Sequence, residues 1–163
     1  MDGTTKVILV LLVTWLVTLP LACLVHELGH ALTAWRYTGR RSLVVVGGER
    51  SLLRLRLPFC ELDFHPLIEE AWCWFDAKGL TVDQARAVAR AGSLADAAMM
   101  LVWAGVAYAI GDAGSVLFWV AALGFTLSAL SSIVELIPIS RPGQLSDGGQ
   151  LTRLRGRRGD EPA

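Results

Sequence analysis

The sequence predicts a mainly α-helical membrane protein: three transmembrane helices, with a β-hairpin inserted on the cytoplasmic side between the first and the second. Three observations carry that prediction. Residues 7–25 hold no charged side chain, and two further apolar runs, about 94–110 and 115–139, have the roughly 17–25 residues that span a hydrocarbon core. Hydrophobic residues make up 53% of the chain, above the roughly 45–50% of a soluble domain. The stretch between the first two runs is polar, and within it Leu53-Arg54-Leu55-Arg56-Leu57 alternates with the period of a strand that has one wet face.

The first span is expected over about residues 7–36, with Pro20 removing a helical hydrogen bond and kinking the helix one turn before a histidine-rich motif. A secretory signal peptide is the competing reading of this segment. It fails on length, because the apolar run exceeds the usual 7–15 residues. A β-hairpin is expected over about 42–57, its strands flanking Gly47-Gly48-Glu49-Arg50. Residues 58–92 are read as a surface loop with Trp72, Trp74 and Phe75, followed by a short helix over 82–90 opened by the capping-box pattern Thr81-Val82-Asp83-Gln84. The second and third spans are joined only by Gly111-Asp112-Ala113-Gly114, so they should form a tight antiparallel pair. Residues 1–152 thus make one domain, and the Arg/Gly/Pro-rich residues 153–163 are expected to be a disordered tail.

Charge sets the orientation. The chain is formally neutral, which gives no reason to expect a nucleic-acid partner, but its arginines cluster: Arg36, Arg40 and Arg41 close the first span, Arg86 and Arg90 precede the second, and Arg141 follows the third. The amino terminus is then outside and the carboxyl terminus cytoplasmic, in a multi-pass protein whose Ala/Arg/Gly/Val-rich composition points to a bacterial plasma membrane. Cys23, Cys60 and Cys73 form no CxxC pair, and the spacing of Cys60, His65 and Cys73 matches no zinc pattern, so the cysteines are read as structural.

The motif that carries chemistry is His26-Glu27-Leu28-Gly29-His30. On a helix, i and i+4 share a face, so His26 and His30 can present two imidazoles to one Zn2+ ion. Glu27 then stands beside the metal, where its carboxylate can take a proton from zinc-activated water as general base. A catalytic zinc has three protein ligands and one open position. Asp147, in Ser146-Asp147-Gly148-Gly149-Gln150 after the third span, is the third candidate, on the same side of the membrane as His30. Asp96 and Glu135 are ionisable residues within spans, costly enough there to be candidates for orienting a ligand or a substrate.

With these residues the chain resembles the site-2 protease family of intramembrane zinc metalloproteases, in a compact form without a PDZ or other accessory domain. The resemblance rests on His26-Glu27-Leu28-Gly29-His30-Ala31-Leu32, Ala91-Gly92-Ser93-Leu94-Ala95-Asp96, and Glu135-Leu136-Ile137-Pro138 followed by Asp147-Gly148-Gly149. It implies that His26, His30 and Asp147 are zinc ligands, that Glu27 is the general base, and that the hairpin pairs with an unwound segment of a transmembrane or signal-peptide-like substrate. The family pattern has proline at Ser93 and asparagine at Asp96 and Glu135. Glu135 is accordingly a candidate acceptor for a ligand histidine N–H. The alternative is a zinc-binding relative of little or no activity that acts as a membrane adaptor. Regulation in so short a chain would come from a membrane partner, from trimming of the substrate before it arrives, or from the hairpin and tryptophan loop.

Overall fold

The computed structural model describes residues 2–47, 51–138, 140–141, 144–157, 159–160 and 162. Three helical stretches are long and apolar enough to cross a membrane: Gly3–Thr38, Val82–Ile110 and Val116–Leu136. The first comprises α1 (Gly3–Val13), a π turn (Thr14–Thr18) and α2 (Leu19–Thr38). The π turn lies directly before Pro20, which falls in the first turn of α2. A proline has no N–H to give the preceding turn, and a widened turn accommodates that loss. Where the sequence predicts a kink, the helix takes this π turn. At about 1.5 Å per residue the 36-residue stretch is about 54 Å long, more than the roughly 30 Å of a bilayer's hydrocarbon core.

The second and third stretches are α3 (Val82–Ile110) and α4 (Val116–Leu136). The capping box forms as expected: Thr81 Oγ1 accepts from the Gln84 amide and Gln84 Oε1 from the Thr81 amide. The helix it opens does not stop at Arg90, however. With no proline or turn residue between Arg90 and Leu94 except the helix-compatible pair Gly92-Ser93, the short helix and the second span are one continuous helix. Gly111, in the left-handed conformation at φ 61°, ends α3, and Ser115 caps α4 through the Leu117 amide. Gly124 lets the two helices touch, since a Cβ there would meet Trp103 Cε2 at 2.6 Å. Lys6 Nζ donates to the Gly114 carbonyl, so the start of α1 and the α3–α4 turn share one end of the bundle.

At the other end lies a sheet of β1 (Ser42–Val46), β2 (Leu53–Arg56), β3 (Cys60–Phe64) and β4 (Ala71–Trp74), in the order β2-β3-β1-β4. The expected hairpin over 42–57 is not formed. Both strands exist, but β3 lies between them, parallel to β1 (Ser42 opposite Cys60) and antiparallel to β2 (Leu53 opposite Phe64), while β4 runs antiparallel to β1 on its far side. Two strands therefore stand where a surface loop is predicted. Burial explains the order: β1 is central and mostly buried, whereas β2 is exposed along its length and carries Arg54 and Arg56 paired to Asp63 and Glu61. The buried face of the sheet, Val44, Val46, Cys60 and Leu62, packs on Ala31 with Cys23, Leu24 and Leu28 of α2. Burying each valine side chain contributes roughly 1.5–3 kcal/mol, so the sheet fixes α2 at the turn that carries the motif.

After α4 a short ribbon, β5 (Ser140–Arg141) with β6 (Gln144–Leu145), leads to α5 (Asp147–Arg153). The described residues of the predicted tail are not free: Leu154 is buried, the Asp83 amide donates to the Gly159 carbonyl, and Thr81 bridges to Pro162.

Candidate metal centre

His26 and His30 lie on the buried face of α2, and the i+4 spacing brings their Nε2 atoms to 3.2 Å from each other. Asp147, first residue of α5, closes the group with Oδ1 3.3 Å from His30 Nε2 and Oδ2 3.7 Å from His26 Nε2. All three are buried, at 6%, 7% and 4% exposure for His26, His30 and Asp147. His26, His30 and Asp147 are the one set of three or more His, Cys, Asp or Glu side chains among the described residues whose donor atoms converge closely enough to hold a metal ion.

Hydrogen bonding settles which atoms face the centre. His30 Nδ1 lies 2.7 Å from the Val88 carbonyl oxygen, an acceptor, so Nδ1 carries the proton and donates. His26 Nδ1 stands in the same relation to Asp96 Oδ2 at 2.8 Å. With each imidazole neutral, Nε2 then presents a lone pair inward, towards the other ring and towards Asp147. In that state three acceptors converge, and Asp147 Oδ2 has no hydrogen-bond partner. A buried carboxylate oxygen without a partner is costly, and a cation at the shared point would remove that cost. The residues present thus fit a metal ion.

Space is reserved for it. Gly92 of α3 faces the ligand atoms, and a Cβ at that position would meet His30 Nε2, His26 Nε2 at 2.5 Å and His26 Cε1 at 2.6 Å. The close crossing of α2 and α3 depends on a second glycine: a Cβ on Gly29 would meet the Ala91 carbonyl oxygen at 2.6 Å and Ala95 Cβ at 2.9 Å. Gly148 plays the same part for α5, packed against the Leu136 and Ile137 backbone, while Ser146 caps the helix through the Gly149 amide and donates to the Ile137 carbonyl at 2.7 Å.

Glu27 is buried on α2, within electrostatic reach of His26, His30 and Asp147. Of the two span carboxylates singled out in the sequence, Asp96 is fully buried and orients His26. Glu135 is half-buried near Glu27, and neither histidine donates to it, since their Nδ1 atoms are taken by Asp96 and Val88. The role of histidine acceptor considered for Glu135 therefore falls to Asp96. Gly92 and the Val88 carbonyl escape sequence reasoning. Gly92 has a visible signal, a glycine four residues before Asp96 in a span, but a backbone carbonyl has none. Away from the centre, His65 accepts from the Leu67 amide through Nδ1 at 3.2 Å, and no metal-binding group forms around it with Cys60 and Cys73 among the described residues.

No family model matches the chain, and a search of curated proteins returns no match.

Proposed function

We propose that the chain is an intramembrane zinc endopeptidase of the site-2 protease type, hydrolysing peptide bonds in or near membrane-spanning segments of other proteins. The observation that carries the reading is the buried convergence of His26, His30 and Asp147 beside Glu27, at the end of a helix apolar enough to cross a membrane. Two imidazoles and one carboxylate are the ligand chemistry of a catalytic zinc, which needs a vacant position that a fourth side chain would fill. When bound, zinc supplies a Lewis acid that polarises the scissile carbonyl and lowers the pKa of water to about 7.

The remaining steps belong to the protein. Asp96 and the Val88 carbonyl hold the imidazoles in one tautomer and one orientation, which also raises their basicity as ligands. Glu27 takes the proton of the attacking water and returns it to the leaving amine. A substrate helix must unwind to expose its peptide bond, and an extended segment can then be held by main-chain hydrogen bonds to a sheet edge. Of the two edges, β4 is the suited one: it packs against α2, whereas β2 is guarded by the Arg54–Asp63 and Arg56–Glu61 pairs. The proposed setting is a bacterial plasma membrane, amino terminus outside, with cleavage near the cytoplasmic face.

The test is zinc per chain in detergent-purified protein, together with cleavage of a panel of single-span and signal-peptide-like substrates. Wild type should hold one zinc and cleave. Glu27→Gln should keep the zinc and lose cleavage almost completely, and Asp147→Ala should lose both. Zinc with no cleavage of any panel member would favour a membrane adaptor, and normal turnover by Glu27→Gln would sink the mechanism.

A further inference from the structure

Asp147 sits on a helix that cannot hold itself in place. A seven-residue helix is marginal alone, so the position of α5 comes from its moorings. At its start these are the Ser146 cap and the packing of Gly148 on the Leu136 and Ile137 backbone. At its end Arg86 of α3 reaches across. Arg86 Nη2 donates to the carbonyl oxygens of Leu154 and Arg157, each at 2.9 Å, while Nη1 pairs with Asp83 Oδ1 at 2.8 Å. Leu154 is the buried residue that ends α5, its amide still bonded to the Gln150 and Thr152 carbonyls. A guanidinium at the carboxyl end of a helix satisfies carbonyls that the helix itself leaves open and complements its dipole.

We propose that Arg86 is a positioning residue for the metal centre: by gripping the Leu154 and Arg157 carbonyls it moors α5, and with it Asp147, to the helix that already holds the two histidines. The inference rests on the reading of His26, His30 and Asp147 as a metal centre. Its logic is one of common reference. Val88 orients His30, Gly92 leaves the space at both Nε2 atoms, and Asp96 orients His26, all from α3. The third ligand comes from a separate helix and needs its own tie to the same frame. Arg86 provides it with a planar fork that serves two carbonyls and a carboxylate together, which the single ammonium of lysine would not reproduce.

The experiment uses the full chain in detergent, with Zn2+ alone as probe. Zinc affinity is measured by competition with a chromophoric chelator for wild type, Arg86→Gln, Arg86→Lys, Asp83→Asn, Asp147→Ala and the Arg86→Gln/Asp147→Ala double variant. Hydrogen exchange of α3 and α5 is followed in the metal-free protein. Arg86→Gln should weaken zinc by about tenfold, the low end for loss of a ligand-supporting contact, and should speed exchange in α5 while α3 stays protected. Arg86→Lys should recover part of the loss, and Asp83→Asn should stay close to wild type. In the Asp147→Ala background, Arg86→Gln should cost nothing further. Unchanged affinity in Arg86→Gln, or an equal loss with and without Asp147, would overturn the proposal. A wild type that holds no zinc would instead overturn the metal reading beneath it, a separate outcome read from the wild type alone.

Discussion

Gly92→Ala is a one-methyl substitution that presses on both histidines of the candidate centre. In the interior of a helix alanine is favoured over glycine by about 0.8–1 kcal/mol, which offsets part of the crowding in the metal-free protein. The added methyl, however, would sit 2.5 Å from His26 Nε2 and 2.6 Å from His26 Cε1, with His30 Nε2 on its other side. Carbon–heavy-atom contacts settle near 3.5–4.0 Å, so each imidazole must retreat by about 1 Å. Neither can do so freely, because Nδ1 of each is tied to Asp96 or to Val88. Overpacking of this kind costs about 1–3 kcal/mol; the metal-free fold carries part of that strain, and because the imidazoles are pushed off the positions from which they would bind, zinc affinity should fall by up to roughly 150-fold. Chelator competition reads the affinity, and thermal unfolding of metal-free protein reads the fold. Wild-type affinity in a folded Gly92→Ala protein would refute the assignment of that space to a metal.

The other expectations concern the supports and the periphery. Asp96→Ala should weaken zinc binding by about 10- to 100-fold, as removal of a histidine-orienting carboxylate does, and Asp96→Asn by less, since an amide oxygen can still accept from His26; chelator competition distinguishes them. Burial pushes the Cys73 thiol up to about 12, with Glu27 adding to the effect, and burial also raises Cys60, so neither should react with iodoacetamide at pH 8 until the protein is unfolded. The same shift predicts a pH dependence: between the ordinary thiol value of 9.0 and about 12 the folded protein keeps the Cys73 proton that the unfolded chain releases. Stability should therefore fall through that window, and a Cys73→Ala variant should lose this component of the slope in denaturation measured across it.

Much of the centre is legible in the sequence because i, i+4 spacing is a local rule: His26 and His30 need nothing but a helix to meet. The spans are legible for the same reason, since length and hydropathy act along one segment. What a local pattern does not contain is a partner. Leu53-Arg54-Leu55-Arg56 reads correctly as a strand, but Gly47-Gly48 before it imitates a hairpin turn, and only the unbroken apolar run Leu43-Val44-Val45-Val46 hints that β1 is covered on both sides and takes two neighbours. Asp96 and Glu135 are likewise equivalent as charges in spans; the packing of α3 on α2 decides that Asp96 reaches a histidine. The short helix over 82–90 and the span from about 94 are read from two separate patterns, a capping box and an apolar run, whereas backbone hydrogen bonding continues from one into the other.

The centre draws its first two ligands from near the beginning of the chain and its third from near the end, with the sheet and two spans between them. Synthesis runs from the amino terminus, so a ribosome-bound chain carries His26, Glu27 and His30 into the bilayer well before Asp147 exists. Asp147 is made only after the third apolar helix, so the group of His26, His30 and Asp147 cannot form until that helix has been synthesised.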